Sequence, residues 1–315
     1  MPKHILAIDI GTNSTRYSLY LKKGYKLIES GVTITRLGEN IRKTKKINPK
    51  NLKLTLDCLK KYIKKNSWAS PEIKAIGTKA LRTAANSRIF IKAGENILKT
   101  RIKTVSGKEE ALLGFSGTKK ALGLKKMFFI DIGGGSTEIG TSAYNLASIN
   151  IGCVTIKERF LNSYPYKPEG LKKASTFINS TLKKVNFGSS QGKTPLECGA
   201  IGGTCTTLAA INIGGKTYNR EKIQGYRLTV KQIKNIFNKI SGLKLSELKK
   251  LNGLEPKRAD VIGAGTLILL CILEHFGIEK ITVSDEGILL GVVLLGDEYK
   301  VEKGQIPKQV RDDKD

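Results

Sequence analysis

A glycine turn that occurs twice in the chain is the feature that most limits how this sequence can fold. Residues 8–15 read IDIGTNST and residues 130–137 read IDIGGGST, so that six of the eight positions are identical. In each copy an apolar segment carries one Asp into the turn, and burial of a lone carboxylate is costly unless a partner neutralises it. A repeat this far apart in the sequence predicts two similar domains rather than a solenoid.

We call residues 8–15 the first glycine hairpin and residues 130–137 the second glycine hairpin. Glycine lets the backbone of a turn reach positive φ and brings its N–H groups close to an anion. One such turn alone is more often an ordinary tight turn, but an Asp at the same place in two copies argues against that simpler interpretation. We therefore interpret each as a strand–turn–strand unit that holds phosphate, with Asp131 holding a metal ion or a water beside it.

A third glycine turn, Gly202-Gly203-Thr204, follows an apolar segment and is expected to open a helix. The first N–H groups of a helix have no partner within the helix and attract anions. This turn therefore predicts a second kind of anion site.

The composition limits the class of protein. A chain of 315 residues with 40% hydrophobic residues is long enough for two domains with real cores. No signal-peptide pattern is present at the N-terminus, and the apolar run 261–273 is shorter than the about 20 residues that cross a bilayer. We expect a buried helix there and no membrane association.

Cysteine and histidine usage excludes several kinds of site. The five cysteines are scattered without a CxxC pair, which argues against a disulfide framework or a structural zinc site and suits a reducing cytoplasm. His4 and His275 are the two histidines. Histidine-rich metal sites and Ser-His-Asp catalysis are therefore not expected.

The net charge of +28, from 55 Lys and Arg against 27 Asp and Glu, predicts a field that attracts polyanions. Any single lysine pair is explained by a solvated surface. Aromatic residues make up 6% of the chain, and no DNA-binding motif is present. A small or linear phosphate-rich anion is therefore a better candidate partner than a specific nucleic acid.

The segment 106–111, SGKEEA, has two interpretations that the residues alone leave open. Glu109 and Glu110 could occupy the first turn of a helix, where the macrodipole favours carboxylates, and on sequence physics alone this explanation is the stronger. The same position suits a general base if the two glycine hairpins converge opposite it.

Taken together, the motifs resemble the exopolyphosphatase / guanosine pentaphosphate phosphohydrolase (Ppx/GppA) family, within the actin / sugar-kinase / heat-shock-protein-70 ATPase superfamily. The resemblance implies an α/β fold of two ribonuclease-H-like (actin-like ATPase) domains with an interdomain cleft that closes over the anion. The implied domains are 1–120 and 121–296, with 297–315 packing back on the first. Seven motifs in this order carry the resemblance: IDIGTNSTR, TKALRTAAN, SGKEEA, FIDIGGGSTEI, AIGGTCTTLAA, KRADVIGAG and TVSDEG.

The resemblance also implies roles for individual residues. Glu110 corresponds to the base that activates water, while Asp131 and Glu138 correspond to residues that hold a divalent cation through water, with Mg²⁺ expected. A surface salt bridge for each Arg, an exposed strand position for Glu138 and a helix cap for Thr204 stay open as alternatives. The implied phosphate-binding residues are Thr12, Asn13, Ser14, Arg16, Arg82, Gly133, Gly134, Gly135, Ser136, Thr137, Gly203, Thr204 and Arg258.

These residue types suit phosphoryl transfer, which needs positioning and charge neutralisation more than covalent help. The expected function is a Mg²⁺-dependent exopolyphosphatase that releases terminal phosphate from inorganic polyphosphate. The close alternative is hydrolysis of guanosine pentaphosphate (pppGpp), or both activities. A sugar kinase, an ATP-driven chaperone and a non-catalytic sensor of polyphosphate or (p)ppGpp are further alternatives from other classes.

Two positions depart from the family pattern. Leu112 stands where the family usually has Arg, and Leu289 and Leu290 replace an Arg-Glu pair after the last motif. Both changes spare the proposed phosphate turns and the base. They weaken any transfer of substrate preference or dimer contacts, so that a homodimer is one open alternative for the assembly.

Overall fold

The computed structural model describes residues 2–185, 187, 197–215 and 218–296, and these form two compact units. The first unit contains the described residues up to Gly117 and those from Ile288, and the second is Thr118–Gly287. The sequence placed the boundary near residue 120 and left 288–296 in the second domain, so the structure differs in grouping that segment with the first unit. The segment 297–315 and the predicted loop 188–194 lie outside the described residues.

Eleven strands are present in the described part of the chain. They are β1 (His4–Ile10), β2 (Ser14–Leu21), β3 (Leu27–Ile34), β4 (Glu72–Gly77), β5 (Ile102–Thr104), β6 (Met127–Ile132), β7 (Thr137–Ser142), β8 (Asn145–Ile149), β9 (Glu197–Ile201), β10 (Arg227–Thr229) and β11 (Lys280–Val283).

Thirteen α-helices connect and cover these strands within the same described ranges. They are α1 (Ile41–Thr44), α2 (Pro49–Asn66), α3 (Lys79–Thr83), α4 (Ser87–Leu98), α5 (Gly107–Leu122), α6 (Cys153–Phe160), α7 (Pro168–Leu182), α8 (Gly202–Ile213), α9 (Arg220–Ile223), α10 (Val230–Ser241), α11 (Leu245–Leu248), α12 (Ile262–His275) and α13 (Ile288–Leu295). Short 3₁₀ turns occur at Ser67–Ala69 and Pro256–Arg258.

The two units have the same sheet topology. The first sheet has the order β3-β2-β1-β4-β5, and the second, read from its other edge, has the order β8-β7-β6-β9-β11 with β10 added. In each, three antiparallel strands are followed by two that run parallel to the first of them. The prediction of two similar α/β domains from the repeated hairpin is therefore supported by the strand order as well.

Each unit has its own hydrophobic core. Leu6, Ile8 and Ile10 of β1 pack in the first, and Phe128 and Ile130 of β6 pack in the second. In both central strands, side chains on the two faces are buried because helices cover the sheet, so these strands read as apolar runs rather than alternating ones.

Most predicted elements are present, with one error. The basic composition of residues 42–53 predicts a loop that ends at Pro49, and this prediction was wrong, because Pro49 begins α2 instead. The Asn48 side chain accepts a hydrogen bond from the Lys50 N–H at 2.8 Å, and proline at the first helical position costs no hydrogen bond. The expected cap of α10 is confirmed, since Thr229 Oγ1 accepts from the Gln232 N–H at 3.3 Å.

No helix within the described ranges is both long enough and apolar enough to cross a bilayer. The predicted apolar helix at 261–273 is confirmed as α12, which is almost wholly buried. All five cysteines fall within the described residues, and each is a buried free thiol.

Candidate active site

In the first unit, three parallel strands end at one edge of the sheet, and each is followed by predicted site residues. The β1 end leads into the first glycine hairpin, the β4 end into α3 with Arg82, and the β5 end into α5 with Glu110. Hydrogen bonds tie the ends together, from Thr78 N to the Ile10 carbonyl at 3.2 Å and from Val105 N to the Gly77 carbonyl at 3.0 Å. Ligands of open α/β sheets bind at such carboxyl ends of strands.

The turn of the first glycine hairpin is closed by a bond from Gly11 N to the Ser14 carbonyl at 3.0 Å. A Cβ at Gly11 would lie 2.8 Å from the same oxygen, so that only glycine fits this approach. The side chains of Thr12, Asn13 and Ser14 are about nine-tenths buried.

A loop that the sequence did not single out supports this turn from behind. Gly38 N donates to the Thr12 carbonyl at 2.8 Å, and Thr35 N and Arg36 N donate to the Asn13 carbonyl at 3.1 and 3.0 Å. A Cβ at Gly38 would lie 2.3 Å from the Thr12 side chain. Gly38 was the one sign of this loop in the sequence. Its contact with Thr12 was not predictable, because strands β2 and β3 separate the two residues along the chain.

Arg16 and Asp9 face each other across the first hairpin. They are directly opposite in the β1–β2 register, where side chains point to one face of the sheet. Arg16 Nε also donates to Ser14 Oγ at 3.4 Å, at the outer end of accepted hydrogen-bond distances. Arg16 is therefore held beside the turn, across from the strand aspartate.

Arg82 and Glu110 form a partly buried ion pair. Arg82 Nη1 donates to Glu110 Oε2 at 3.2 Å and to the Val105 carbonyl at 2.6 Å. The Glu110 side chain is 10% exposed and that of Arg82 25%. The Glu110 carboxylate is therefore mostly buried and held by Arg82, and it does not point into bulk solvent.

Glu109 and Glu110 both lie in the first turn of α5 but make different contacts. Ser106 Oγ accepts from Glu109 N at 3.2 Å, and the Glu109 carboxylate accepts from Ser106 N at 2.7 Å. This reciprocal pair is a capping box at the start of α5. Glu109 therefore satisfies the helix terminus, while Glu110 faces Arg82.

The second glycine hairpin repeats the turn of the first. Gly133 N donates to the Ser136 carbonyl at 3.0 Å. Its support differs, because the start of α6 covers it, with Cys153 N donating to Gly133 O at 3.0 Å and Val154 N to Gly134 O at 2.9 Å. A Cβ at Gly152 would lie 2.3 Å from Gly134 O, so Gly152 is a second supporting glycine that the sequence analysis missed.

Asp131 and Glu138 lie directly opposite each other in the β6–β7 register, on one face of the sheet. Glu138 is 1% exposed and accepts a hydrogen bond from Ser148 Oγ at 2.6 Å. Its alternative interpretation as an exposed strand residue is therefore excluded. Two facing carboxylates repel each other, and a cation between them removes that repulsion.

The donor set suits a hard divalent cation. Oxygen ligands are those that Mg²⁺ prefers, and Mg²⁺ normally keeps several waters while binding one or two carboxylates. No group of three or more His, Cys, Asp or Glu residues that could hold a metal ion occurs in the described part of the chain. Two carboxylates completed by water and substrate oxygens therefore fit this site better than an all-protein cage.

Ser136 and Thr137 are deeper than the sequence suggested. They are 2% and 0% exposed, and Thr137 Oγ1 donates to the Ile151 carbonyl at 2.6 Å. The equivalent Thr15 is also fully buried, with its hydroxyl 3.0 Å from that of Thr35. The hydroxyl of Thr137 thus holds the hairpin together, and its role as a phosphate ligand stays a prediction.

The third glycine turn lies against two predicted site residues of its own unit. Gly202 has φ of +90°, and a Cβ there would lie 2.7 Å from Asp131 Oδ1. A Cβ at Gly203 would lie 1.3 Å from Arg258 Nη1. The guanidinium of Arg258 therefore covers the start of α8, where the helix dipole already adds positive potential, and the combination favours a bound anion.

Thr204 is the next residue of this turn and is 5% exposed. Its hydroxyl packs against α12, since a Cβ at Gly265 would lie 2.2 Å from Thr204 Oγ1. The hydroxyls of Thr206 and Thr207 bond to the carbonyls of Gly202 at 3.2 Å and Gly203 at 2.6 Å. Backbone N–H groups and Arg258 are therefore better placed for an anion than these threonines.

The thiols of Cys153 and Cys205 are buried in the second unit, near Arg258 and Asp131 respectively. Burial raises the pKa of Cys153 to about 11, although nearby Arg258 lowers it slightly. Burial, with a contribution from Asp131, raises the pKa of Cys205 well above its ordinary value. Thiols with raised pKa values stay protonated at neutral pH and are poor nucleophiles.

The departures from the family pattern lie in the interior of the first unit. Leu112 is 1% exposed on α5, and Leu289 and Leu290 are 8% and 3% exposed on α13. α13 contacts α5 closely, because a Cβ at Gly291 would lie 2.0 Å from the Leu113 carbonyl. Apolar side chains at these positions therefore pack within the unit.

Comparison with known proteins identifies several relatives. The bifunctional 3-dehydroquinate synthase/phosphatase of Fusobacterium nucleatum is 35% identical over 93% of this chain and 46% of its own length. Exopolyphosphatase 2 of Mycobacterium tuberculosis is 28% identical over 92% of this chain and 97% of its own length. Guanosine-5'-triphosphate,3'-diphosphate pyrophosphatase of Photobacterium profundum is 26% identical over 91% of this chain and 58% of its own length. The chain thus spans about half the length of the first and third of these relatives.

A solved structure confirms the predicted fold class. The crystal structure of the Aquifex aeolicus member of the Ppx/GppA protein family is 30% identical to this chain, with a TM-score of 0.75 over 92% of this chain and 96% of that one. The sequence profile of the Ppx/GppA phosphatase family matches residues 20–297. As its motifs had predicted, this chain belongs to the Ppx/GppA phosphatase family.

Proposed function

We propose that this chain is an exopolyphosphatase that releases terminal phosphate from inorganic polyphosphate. The Arg82–Glu110 ion pair carries the proposal, because it fixes one carboxylate at the sheet edge that also holds the first glycine hairpin. The sequence relation to exopolyphosphatase 2 and the net charge of +28 support the choice of a polyanionic substrate.

Glu110 acts as the general base in this mechanism. Its carboxylate accepts a proton from water as the water oxygen forms a bond to the terminal phosphorus. The bridging P–O bond breaks, orthophosphate is released, and the shortened chain keeps the electron pair on its new terminal oxygen. Arg82 positions Glu110 by holding both that carboxylate and the Val105 carbonyl.

Fixed cationic groups neutralise the charge that spreads over the phosphoryl oxygens. Arg16 beside the first hairpin and Arg258 over the start of α8 supply guanidiniums, which bind phosphate in a bidentate manner that lysine cannot. The turn N–H groups of each hairpin contribute dipoles within their own unit.

Asp131 and Glu138 would hold the divalent cation that this family's chemistry requires, and Mg²⁺ is our proposal for it. Such an ion, when bound, supplies Lewis-acid stabilisation of the phosphoryl oxygens. Glu138 is kept in place by its hydrogen bond from Ser148, and Asp131 by packing against Gly202.

Hydrolysis of pppGpp to its tetraphosphate is the second candidate. It is favoured by the relation to the pyrophosphatase of Photobacterium profundum, whose identity to this chain is similar to that of exopolyphosphatase 2. The same base, cation and arginines serve a nucleotide 5'-triphosphate end, since both substrates present a terminal phosphoanhydride.

Side-by-side measurement of kcat/KM for polyphosphate and pppGpp with Mg²⁺ tests the proposal. We expect the larger value for polyphosphate, and Glu110→Gln should lower phosphate release by about 10²–10⁴-fold on either substrate. Equal rates for the wild type and Glu110→Gln would reject the role of Glu110. Tight binding without turnover would indicate a sensor, and phosphate transfer to an acceptor would indicate a kinase.

Glu109→Gln is the matched control. Glutamine can replace glutamate in a capping box, so this neighbouring carboxylate is removed without loss of the cap. Activity close to that of the wild type is expected. A loss as large as that of Glu110→Gln would mean that charge at the start of α5, rather than a positioned base, matters.

A further inference from the structure

An exposed strip of positive charge lies on the first unit, outside the residues assigned to catalysis. Between Asn40 and Asn66 the chain has ten basic residues and one acidic residue, Asp57. All ten are exposed. We call them the basic strip: Arg42, Lys43, Lys45, Lys46, Lys50, Lys53, Lys60, Lys61, Lys64 and Lys65.

The basic strip begins at the proposed phosphate site. The segment that enters it is attached to the first glycine hairpin, through the bond from Gly38 N to the Thr12 carbonyl at 2.8 Å. Its first part then lies beside the end of the Arg82 helix. Ala85 N donates to Lys45 O at 2.8 Å, and Ile47 exchanges bonds with the Asn86 side chain at 2.8 and 3.1 Å.

The rest of the basic strip follows one face of α2. Six of its lysines lie on this 18-residue helix, at spacings that repeat every three or four residues and keep them on one side. A helix of this length extends for about 27 Å. The opposite side packs into the core through Thr55, Leu59 and Tyr62.

Few of these charges are neutralised by the protein itself. Within the described residues, the ion pairs that involve the strip are Lys60 with Asp57 at 3.4 Å and Lys65 with Glu29. Like charges at three- and four-residue spacing destabilise a helix. A linear anion that lies along the strip removes this repulsion.

We propose that the basic strip binds the internal phosphates of a long polyphosphate chain whose end occupies the site at the first glycine hairpin. This inference rests on the proposed function and deepens it, because it makes long linear polyanions the preferred substrate class. The occupant follows from charge complementarity, from the length of the strip and from its continuity with the hairpin. Nucleic acid is less favoured, because single-stranded nucleic acid binds by stacking on aromatic side chains as well as by charge. The one aromatic residue of α2, Tyr62, is buried, and the exposed Trp68 lies beyond the end of the helix.

The test uses one variant in which five lysines of the basic strip are replaced. None of the five makes an ion pair within the described residues. KM is measured for long-chain polyphosphate and for tripolyphosphate, whose three phosphates cannot extend along the about 27 Å of α2. We expect KM for the long chain to rise about tenfold, its dependence on salt concentration to weaken, and KM for tripolyphosphate to change by less than about twofold. The strip variant is Lys46→Gln, Lys50→Gln, Lys53→Gln, Lys61→Gln and Lys64→Gln.

A control variant with the same change in net charge separates the strip from the general field of the protein. It replaces five exposed lysines of the second unit, which contact none of the proposed site residues. An equal rise in KM for both variants would overturn the proposal. The control variant is Lys231→Gln, Lys234→Gln, Lys239→Gln, Lys249→Gln and Lys250→Gln.

Binding to catalytically inactive protein distinguishes failure of the strip from failure of the proposed function. Long-chain polyphosphate is titrated into Glu110→Gln protein with the strip intact or replaced. Tenfold weaker binding without the strip supports the proposal even if the wild type does not turn over polyphosphate. Unchanged binding overturns it, and so does single-stranded RNA of equal charge binding the intact strip more tightly than polyphosphate does.

Discussion

The two glycine hairpins share one backbone design but differ in the charge that faces their aspartate. Both turns close with a bond of 3.0 Å, from Gly11 to Ser14 and from Gly133 to Ser136. In the first hairpin Asp9 lies opposite Arg16, whereas in the second Asp131 lies opposite Glu138. The same backbone design therefore places the strand aspartate opposite a basic residue in one unit and opposite a second carboxylate in the other.

The charged groups at the strand ends next to the two hairpins also differ between the units. In the first unit they present the Arg82–Glu110 pair, a carboxylate held ready by its own guanidinium. In the second unit the end of β9 leads to Gly203 at the start of α8, with Arg258 over it. The end of β5 in the first unit therefore presents a carboxylate next to a guanidinium, whereas the end of β9 in the second unit presents a guanidinium over a helix N-terminus.

The largest expected effect comes from the carboxylate pair of the second hairpin. Chelation with EDTA should abolish phosphate release, and Asp131→Asn should lower kcat/KM by about 100-fold or more, with a higher Mg²⁺ concentration needed for half-maximal activity. Asp9→Asn, at the equivalent position of the first hairpin, should leave that Mg²⁺ concentration within about twofold. A Mg²⁺ titration of phosphate release measures both. Equal shifts for the two variants would mean that the difference between the hairpins has no bearing on the metal.

Replacement of Arg82 and replacement of Arg258 should affect kcat and KM differently. Arg82→Lys keeps the charge but replaces the planar guanidinium, whose Nη1 donates to both Glu110 and the Val105 carbonyl, so kcat should fall by about 10–100-fold with KM changed less. Arg258→Lys should instead raise KM about tenfold, because Arg258 covers an anion site rather than the base. Steady-state kinetics on polyphosphate checks the split. The same kinetic change in both variants would contradict the division of roles between the units.

Two glycines should respond differently to the same substitution. Gly203→Ala displaces the flexible end of Arg258, so it should raise KM several-fold and change stability little. Gly11→Ala places its Cβ 2.8 Å from a backbone oxygen, which cannot move without opening the turn, and should cost about 1–3 kcal/mol of unfolding free energy. Urea unfolding and KM measured on each variant make the comparison. A stability loss for Gly203→Ala as large as that for Gly11→Ala would show that Arg258 does not yield.

The sequence was sufficient for the fold class because the octapeptide repeat predicts two strands and a turn in each of two similar domains, whereas the order of the other strands came from the structure. It also predicted that Asp131 needs a partner. It could not assign Glu109 and Glu110 to separate roles, since that depends on the contact between Arg82 and α5 across a sheet edge. Gly38 and Gly152 were missed for the same reason: their need for glycine comes from a hairpin that is distant in the chain.

Two side-chain hydroxyls near the turns make contacts that the motifs did not predict, and their role as phosphate ligands stays a prediction. Thr137 and Thr204 follow glycines and look like ligands, yet one bonds to the Ile151 carbonyl and the other packs against Gly265. A hydroxyl in a motif can serve the backbone as easily as a ligand, and its direction is set by elements that the motif does not contain. The error at Pro49 is of a different kind, because this proline was expected to end a loop and instead begins α2.

The last expected difference between the units is in their stability at alkaline pH. Burial raises the pKa of four thiols in the second unit, to about 11 for Cys153 and Cys271 and further for Cys198 and Cys205. A raised folded pKa contributes stability that is complete below the unfolded value near 8.5 and is lost as pH rises towards the folded one. In the first unit the groups with raised pKa values that titrate next are tyrosines, whose ordinary pKa is near 10.

Between about pH 8.5 and 10 the second unit should therefore lose stability before the first, by about 2 kcal/mol per thiol at pH 10. The single tryptophan, Trp68, lies in the first unit, so its fluorescence follows that unit while circular dichroism follows both. Urea unfolding at about pH 8 and pH 10 should show a larger downward shift by circular dichroism than by fluorescence. Cys198→Ala should reduce this difference, because it removes one thiol that must ionise only after unfolding. Identical shifts by the two probes would mean that the two units unfold together in one cooperative transition, which would contradict the expected difference in stability.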